Sequence, residues 1–421
     1  MRALLGETGQ EDAVRFEPRL RLPVWARGRT TLLKSAPLPG ALHLLPSVLR
    51  YGHLPWRDRV KAVVVSARLG RLSPGTLAVG ESWADVLGRM GTSRVARERL
   101  WSVFAVAVEN AAPNEIPAAD ALRDLRMALL QGAGAARMGR FVRPLGEVAE
   151  RVREAAEKAG AGMRPGLHVR RLIAGGVGRS SPCRAEQEDG ERQAETQGRV
   201  GVELQDGSRR MADDVILAVP LWALRPLLPI AWLEHPRLRL LAGVVPSPIV
   251  NVHLGYDRPM LSEPVVAIAE PPFPMLFRRE VEAGFLGVEG GRHGARGRAE
   301  ALGAIREWVM VSVSAAQEFA GTPDADLVRR MDRLTRTVAS GPWGRNGNGQ
   351  AVLQTAKVVW QHRATALPSS LGERPRPDEP LAQGVWLCGD WTGTGWPQTL
   401  EGAVRSGEAV SQAVLHQDLD P

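Results

Sequence analysis

Five glycines and an aspartate crowd the segment Val385 to Leu415, VWLCGDWTGTGWPQTLEGAVRSGEAVSQAVL, whose pattern reads as buried strand, glycine-rich turn and amphipathic helix. Val385, Leu387 and Cys388 end the strand at Gly389-Asp390, and ligands of open α/β sheets bind just beyond such carboxyl ends. Asp390 there offers a short acceptor for a ribose-type hydroxyl. Thr392, Gly393, Thr394 and Gly395 let the backbone approach a flat ligand, since glycine carries no Cβ. Trp396 and Pro397 add an apolar wall. From Thr399 onward Leu400, Val404, Gly407, Val410 and Val414 fall on one helical stripe, with Gly402 and Ala403 in the first turn.

The first-turn N–H groups of such a helix carry partial positive charge, which suits the negative charge that collects on the N1–C2=O edge of a reduced flavin. The same spacing also makes a plain strand-to-helix turn with Asp390 as a cap, and on spacing alone that is the commoner origin of the pattern. Other chemical candidates are sparse. Cys183 and Cys388 stand far apart without metal-type spacing, so two reduced thiols and no metal site are expected. His253, alternating with Val252 and Leu254, reads as a structural histidine. Gly175, Gly176 and Gly178 precede a polar loop rather than a helix, so they make no phosphate cradle.

These residues need a scaffold, and 421 residues suffice for two interleaved domains. FEPRLRLPV and GRTTLLK form a hairpin through Trp25, Arg27 and Gly28. Residues 38–72 read as short amphipathic helices, either a lid or membrane-facing edge or ordinary core helices. Residues 80–160 are mainly helical, with breaks at Gly91, Pro113 and Pro117 and an amphipathic run from Leu145 to Lys158. LHVRRLIAG is a strand, residues 174–197 a polar loop, and RVGVELQDGSRRM a hairpin about Asp206-Gly207. DDVILAVP predicts a strand buried on both faces, ended by Pro220. Strands follow at Ile249–Tyr256 and Trp308–Ser314, separated by a loop that includes residues 287–298.

Composition narrows the class. No 18-residue uncharged apolar run appears, which argues against a spanning helix. The first dozen residues lack an apolar signal region, so a cytoplasmic address is expected. Net charge is +8, but the arginines are scattered among acidic residues and aromatics are only 5%, against a nucleic-acid binder.

GDWTGTGWPQTLEGAVRSG closely resembles the carboxy-terminal FAD signature of the hydroxysqualene dehydroxylases, and more loosely that of the phytoene and ζ-carotene desaturases. RFEPRLRLPV, PLPGALHLLPSVLRY, DDVILAVP, SPIVNVHLGYDRP and HRATALP resemble that family's segments in the same order. The resemblance implies a mixed α/β, glutathione-reductase-like FAD-binding fold with a sheet-and-helix substrate domain. Residues 1–35, 160–225 and 380–421 are expected to form the remainder of the FAD-binding domain and adjoining strands, 36–159 a mainly helical cap or substrate region, and 226–379 the substrate-domain sheet and helices. The resemblance implies FAD contacts at Gly389, Asp390, Trp396, Pro397, Thr399, Gly402 and Ala403, and at the Val169 backbone on the adenine side.

The implied reaction is reductive removal of the hydroxyl from hydroxysqualene, giving squalene on the way to hopanoids, with phytoene-type desaturation as the alternative. A leaving hydroxyl needs a proton donor; His362 and Arg363 are the weak candidates, and arginine is too weak an acid to donate readily. The implied partners are an isoprenoid lipid, the inner face of a membrane touched peripherally, and an upstream prenyl synthase, with no nucleic acid. An accessory protein without catalysis, binding through residues 37–72, is the reading from another class. Members of the family begin with a strand, a GxGxxG turn and a helix in a unit of ~30 residues. Nothing before Arg15 fits it, and MRALLGETGQEDAV resembles the helix beyond it. The expectation is a fold incomplete at its amino terminus, begun at an internal methionine. A second polypeptide that supplies the unit, or an enzyme retired from catalysis, would leave the same gap.

Overall fold

The computed structural model describes residues 1–173, 200–280, 305–345 and 351–417. The loops read at 174–197 and 287–298, with Cys183 and Gly175, Gly176 and Gly178, lie outside them. The chain divides into two compact units: residues 1–15, 140–245 and 370–421, and residues 16–139 with 246–369.

The chain opens with α1 (Arg2–Glu7) and β1 (Val14–Phe16), followed by β2 (Arg21–Ala26) and β3 (Arg29–Lys34). Arg27 and Gly28, at φ +48° and +70°, close the β2–β3 hairpin as the sequence indicated. Helices α2 (Leu45–Leu49), α3 (Trp56–Arg71), α4 (Trp83–Arg89), α5 (Ser102–Glu109) and α6 (Ala118–Leu125) come next. They pack around Val65, Leu69, Trp83, Val86, Ala105 and Leu122. After β4 (Gly139–Phe141), which pairs with β1, come α7 (Leu145–Lys158), β5 (Val169–Ile173), β6 (Val200–Leu204), β7 (Arg209–Ala212), β8 (Val215–Leu217) and α8 (Leu221–Leu227). The chain then contributes β9 (Pro246–Tyr256), β10 (Val265–Ile268), β11 (Met275–Glu280), β12 (Glu307–Val313), α9 (Asp324–Ala339) and β13 (Leu353–Ala366). It ends with β14 (Val385–Leu387) and α10 (Leu400–Gln417).

In the second unit seven strands run in the order β13-β9-β12-β11-β10-β2-β3. Alternation explains its core: Val250, Val252, Leu254 and Tyr256 of β9, with Val309, Val311 and Val313 of β12, are fully buried. They share a cluster with Leu327, Met331 and Val338 of α9. Each fully buried Val or Leu contributes about 2 kcal/mol, so this face fixes the register.

The β2–β3 hairpin joins the large sheet, because β2 pairs in parallel with β10. In the first unit Val148 of α7 packs with Leu5 and Ala13. Two expectations are revised. Strand β8 is not buried on both faces: Leu217 is buried but Ile216 is exposed. At the β6–β7 turn Gly207 has positive φ and Asp206 does not, so the loop is longer than a two-residue turn. The Asp206 carboxylate accepts the Ser208 N–H within it.

Candidate functional site

Two parallel strands, β8 and β14, carry the Gly389-Asp390 segment, in register Val385 to Val215, Trp386 to Ile216 and Leu387 to Leu217. Trp386 fastens the pair at one end by donating its indole N–H to Asp214 Oδ1 at 2.7 Å. Trp391 fastens the other, donating to the Val219 carbonyl at 3.0 Å. Its indole folds over Gly389, and a Cβ at Gly389 would lie 2.5 Å from Trp391 Nε1, so only glycine fits.

Beyond the strand, the turn is tied to α10 by a closed ring of hydrogen bonds. Gly389 N–H donates to Ser406 Oγ at 3.0 Å, and the Thr392 hydroxyl donates to the Gly389 carbonyl at 2.8 Å. That leaves the Ser406 hydroxyl to donate to Thr392 Oγ1, also at 2.8 Å. Both hydroxyl residues are fully buried. Sequence reading passed over Ser406 because it looked for an apolar stripe; the helix instead buries Gly402, Ser406 and Val410, spaced by four, and leaves Leu400 exposed. The small residues at 402 and 406 are the signal that the helix approaches its neighbours closely.

Thr399 starts α10: its hydroxyl oxygen accepts the Gly402 N–H at 3.3 Å and its carbonyl accepts the Ala403 N–H at 3.0 Å. The N–H groups of Leu400 and Glu401 precede any turn that could supply them a helical carbonyl. Pro397 is buried, and its carbonyl would lie 2.7 Å from a Cβ at Gly402. Trp396 is held on two sides: Arg374 donates to its carbonyl at 2.9 Å, and the Arg405 guanidinium lies 4.3 Å from its ring centroid. Asp390 is half-buried between strand end and helix start. Burial pushes its carboxyl up, opposed by its own and the Trp391 backbone N–H and by the charge of Arg374. The arrangement thus offers one acceptor of hydroxyl groups beside a helix start suited to negative charge.

The other sequence candidates lie elsewhere. Val169 opens β5, opposite Leu204, in the three-stranded sheet β5-β6-β7 rather than with β14. His362 and Arg363 sit on β13 of the second unit, both exposed. The His362 ring stacks parallel to Trp360 at 5.5 Å, and the two line a cleft of about 530 Å³ with Pro246, Pro248, Gln317 and Asp324. Thr365 accepts a hydrogen bond from Asn110 Nδ2 at 2.9 Å. His253 is half-buried, and burial, then Arg279 and Lys357, lowers its pKa. Cys388 is a buried free thiol. Among the described residues no cluster of His, Cys, Asp and Glu could hold a metal ion, and no helix is long and apolar enough to cross a membrane.

This mixed α/β fold is shared with solved oxidoreductases. An oxidoreductase from Methanosarcina mazei superposes with a TM-score of 0.63 at 12% identity, over 96% of this chain and 83% of that one. Cyclohexylamine oxidase from Brevibacterium oxydans gives 0.59 at 12% identity, over 99% and 86%. The chain belongs to the flavin containing amine oxidoreductase family, whose model matches residues 1–415. It is similar to 15-cis-phytoene desaturase of Synechococcus elongatus, 26% identical over 223 residues, 51% of this chain and 42% of that protein. It is also similar to hydroxysqualene dehydroxylase of Sinorhizobium fredii, 30% identical over 208 residues, 49% and 39% of the two chains. The chain therefore spans about two fifths of the length of these curated relatives.

Proposed function

We propose that the chain is a FAD-dependent oxidoreductase of a long isoprenoid, and that its reaction is the reductive dehydroxylation of hydroxysqualene to squalene. The observation that carries the cofactor reading is the strand end at Gly389-Asp390 facing the start of α10. Three features fit a flavin there: the Asp390 carboxyl, half-buried with only adjacent N–H donors and the Arg374 charge to offset its burial; a turn closed by glycine contacts; and a helix start beside both. Asp390 would accept a ribityl hydroxyl. The Leu400 and Glu401 N–H groups, with Gly402 and Ala403, would favour negative charge on the pyrimidine edge. Pro397, Thr399 and Trp396 would shape the wall, and the Val169 backbone would meet the adenine side. Bound flavin supplies hydride exchange at N5.

The substrate reading is supported by the GDWTGTGWPQTLEGA signature and by hydroxysqualene dehydroxylases among the relatives, including that of Rhodopseudomonas palustris at 31% identity over 119 residues. A phytoene-type desaturase is the second reading, favoured by the longer aligned stretch of the Synechococcus elongatus relative. Titration of the purified chain with FAD, followed by flavin absorbance, tests the cofactor. Saturable binding, then squalene formed anaerobically from hydroxysqualene with a chemical reductant, is the expected result. No FAD binding overturns the reading, and desaturation of phytoene without dehydroxylation selects the second.

A further inference from the structure

The cleft lined by Trp360 and His362 is built on a break in the large sheet. Between the pairs Gln361–Ile249 and Thr365–Ser247, four residues of β13 advance against two of β9, across Pro248, which has no N–H to give the ladder. A bulge of this kind re-aims side chains. Trp360 and His362, two apart on the strand, stand here with their rings parallel to within 2°. Together they make a flat aromatic wall.

A second wall is tied to the core. Gln317 donates through Nε2 to Ser247 Oγ at 3.3 Å. The Ser247 hydroxyl donates in turn to the Asn110 carbonyl, and Asn110 Nδ2 donates to the Ser247 carbonyl at 3.0 Å. Asn110 and Ser247 are both buried, so Gln317 is anchored to a closed polar knot. Its amide oxygen keeps no partner among the described residues. Asp324, which opens α9, likewise makes no hydrogen bond or ion pair among the described residues.

Charge decides what the cleft takes. The chain has 54 Lys and Arg, yet among the described residues none lines this cleft. The negative charge that suits the start of α9 is the chain's own, on Asp324, so no anion is called for. A carboxylate, an amide oxygen and an aromatic wall, with no lysine or arginine among them, match a flat cation with N–H groups on its edge. Guanidinium has that shape, stacks on aromatic faces and is weakly hydrated, whereas an ammonium is a compact, strongly hydrated point charge. The volume of about 530 Å³ lies within the range of small-molecule sites.

We propose that this cleft binds a guanidinium group, stacked on Trp360 and His362 and held at its edge by Asp324 and the Gln317 amide oxygen. The cleft shares no residue with the flavin reading, so a failed FAD titration leaves it standing. Titration of the full chain with butylguanidinium, read by saturation transfer from protein to ligand, is the test, with butylammonium as the control of equal charge.

Saturable binding is expected, with guanidinium preferred over ammonium roughly threefold, as an exposed cation–π contact allows. Asp324→Asn should weaken it roughly threefold to fivefold, the worth of an exposed ion pair. Trp360→Leu should erase the preference for guanidinium, and if that variant melts early, His362→Ala, at an exposed position, carries the same test. N-acetylarginine amide separates two sources of the group: its binding admits an arginine of a polypeptide, and its exclusion while butylguanidinium binds leaves a free small molecule. Absence of saturable transfer overturns the proposal. So does butylammonium that binds as tightly as butylguanidinium, or an Asp324→Asn chain with the parent's affinity.

Discussion

Ser406, fully buried on α10, accepts the backbone N–H of Gly389 at 3.0 Å, so the helix is fastened to the residue that precedes Asp390. The bond belongs to a three-membered ring with Thr392, and removing Ser406 leaves the Gly389 N–H without its acceptor and the Thr392 oxygen without its donor. Ser406→Ala is therefore expected to cost about 1–3 kcal/mol, read from the shift in urea midpoint. An unchanged midpoint would mean that water replaces the hydroxyl and that the ring does not hold the turn.

Two glycines of the same helix should respond to alanine in opposite directions. Alanine in a helix interior ordinarily gains about 0.5–1 kcal/mol over glycine. At Gly407 no atom lies within 4 Å of the added Cβ, so Gly407→Ala should gain that amount. At Gly402 the Cβ would meet the Pro397 carbonyl at 2.7 Å, and overpacking of that kind costs about 1–3 kcal/mol. Calorimetric melts of the two variants should bracket the parent; both rising would show that the Pro397 turn yields freely.

Asp390 carries a pH signature. Burial raises its carboxyl above the ordinary aspartate value, so the folded chain holds this proton to higher pH than the unfolded chain. Stability from this group is thus present below the ordinary value near about 3.9 and is lost as pH rises through the raised folded value. Asp390→Asn should remove that loss, visible as a difference between the two pH–stability curves that grows over this window and is flat above it. On the cofactor reading, Asp390→Ala should weaken FAD binding roughly 10–100-fold, the cost of a charged hydrogen bond; equal affinity would move the ribityl contact elsewhere.

The strand–turn–helix at Val385 to Leu415 was legible because period, glycine and proline agree locally, as was the β2–β3 hairpin with Arg27-Gly28 at its tip. The alternation of β9 and β12 was equally plain. What the sequence hid is long-range. Nothing local announces that Val24 pairs in parallel with Ala267, far along the chain, and this pairing takes the hairpin into the large sheet. The continuous apolar run of β8 gave no hint that Ile216 would stay exposed, since periodicity cannot tell burial on two faces from burial on one. In α10 the contacts are made by Gly402 and Ser406, residue types that a search for hydrophobic stripes discards.

The helical core of the second unit contains a pair that the sequence did not single out. Glu109, at the end of α5, and Asp124 of α6 are both buried, and each keeps one carboxyl oxygen without a hydrogen-bond partner. Burial pushes Glu109 up to about 10, reinforced by its hydrogen bond to Asp124 and by the charges of Asp124 and Asp120, with Arg123 opposing. Arg123 pairs with Asp120 at 2.6 Å and Asp124 at 3.2 Å, and burial keeps the proton on Glu109.

Because the folded value is raised, the unfolded chain releases this proton first. Stability should fall between the ordinary glutamate value and about 10, with a slope of up to about 1.4 kcal/mol per pH unit. Glu109→Gln, neutral throughout and nearly the same shape, should be flat across this range and more stable than the parent at pH of about 9. Urea unfolding at a series of pH values between neutrality and that point reads the difference directly. Parallel curves for the two proteins would show that Glu109 is already ionised in the fold, with its charge offset by Arg123.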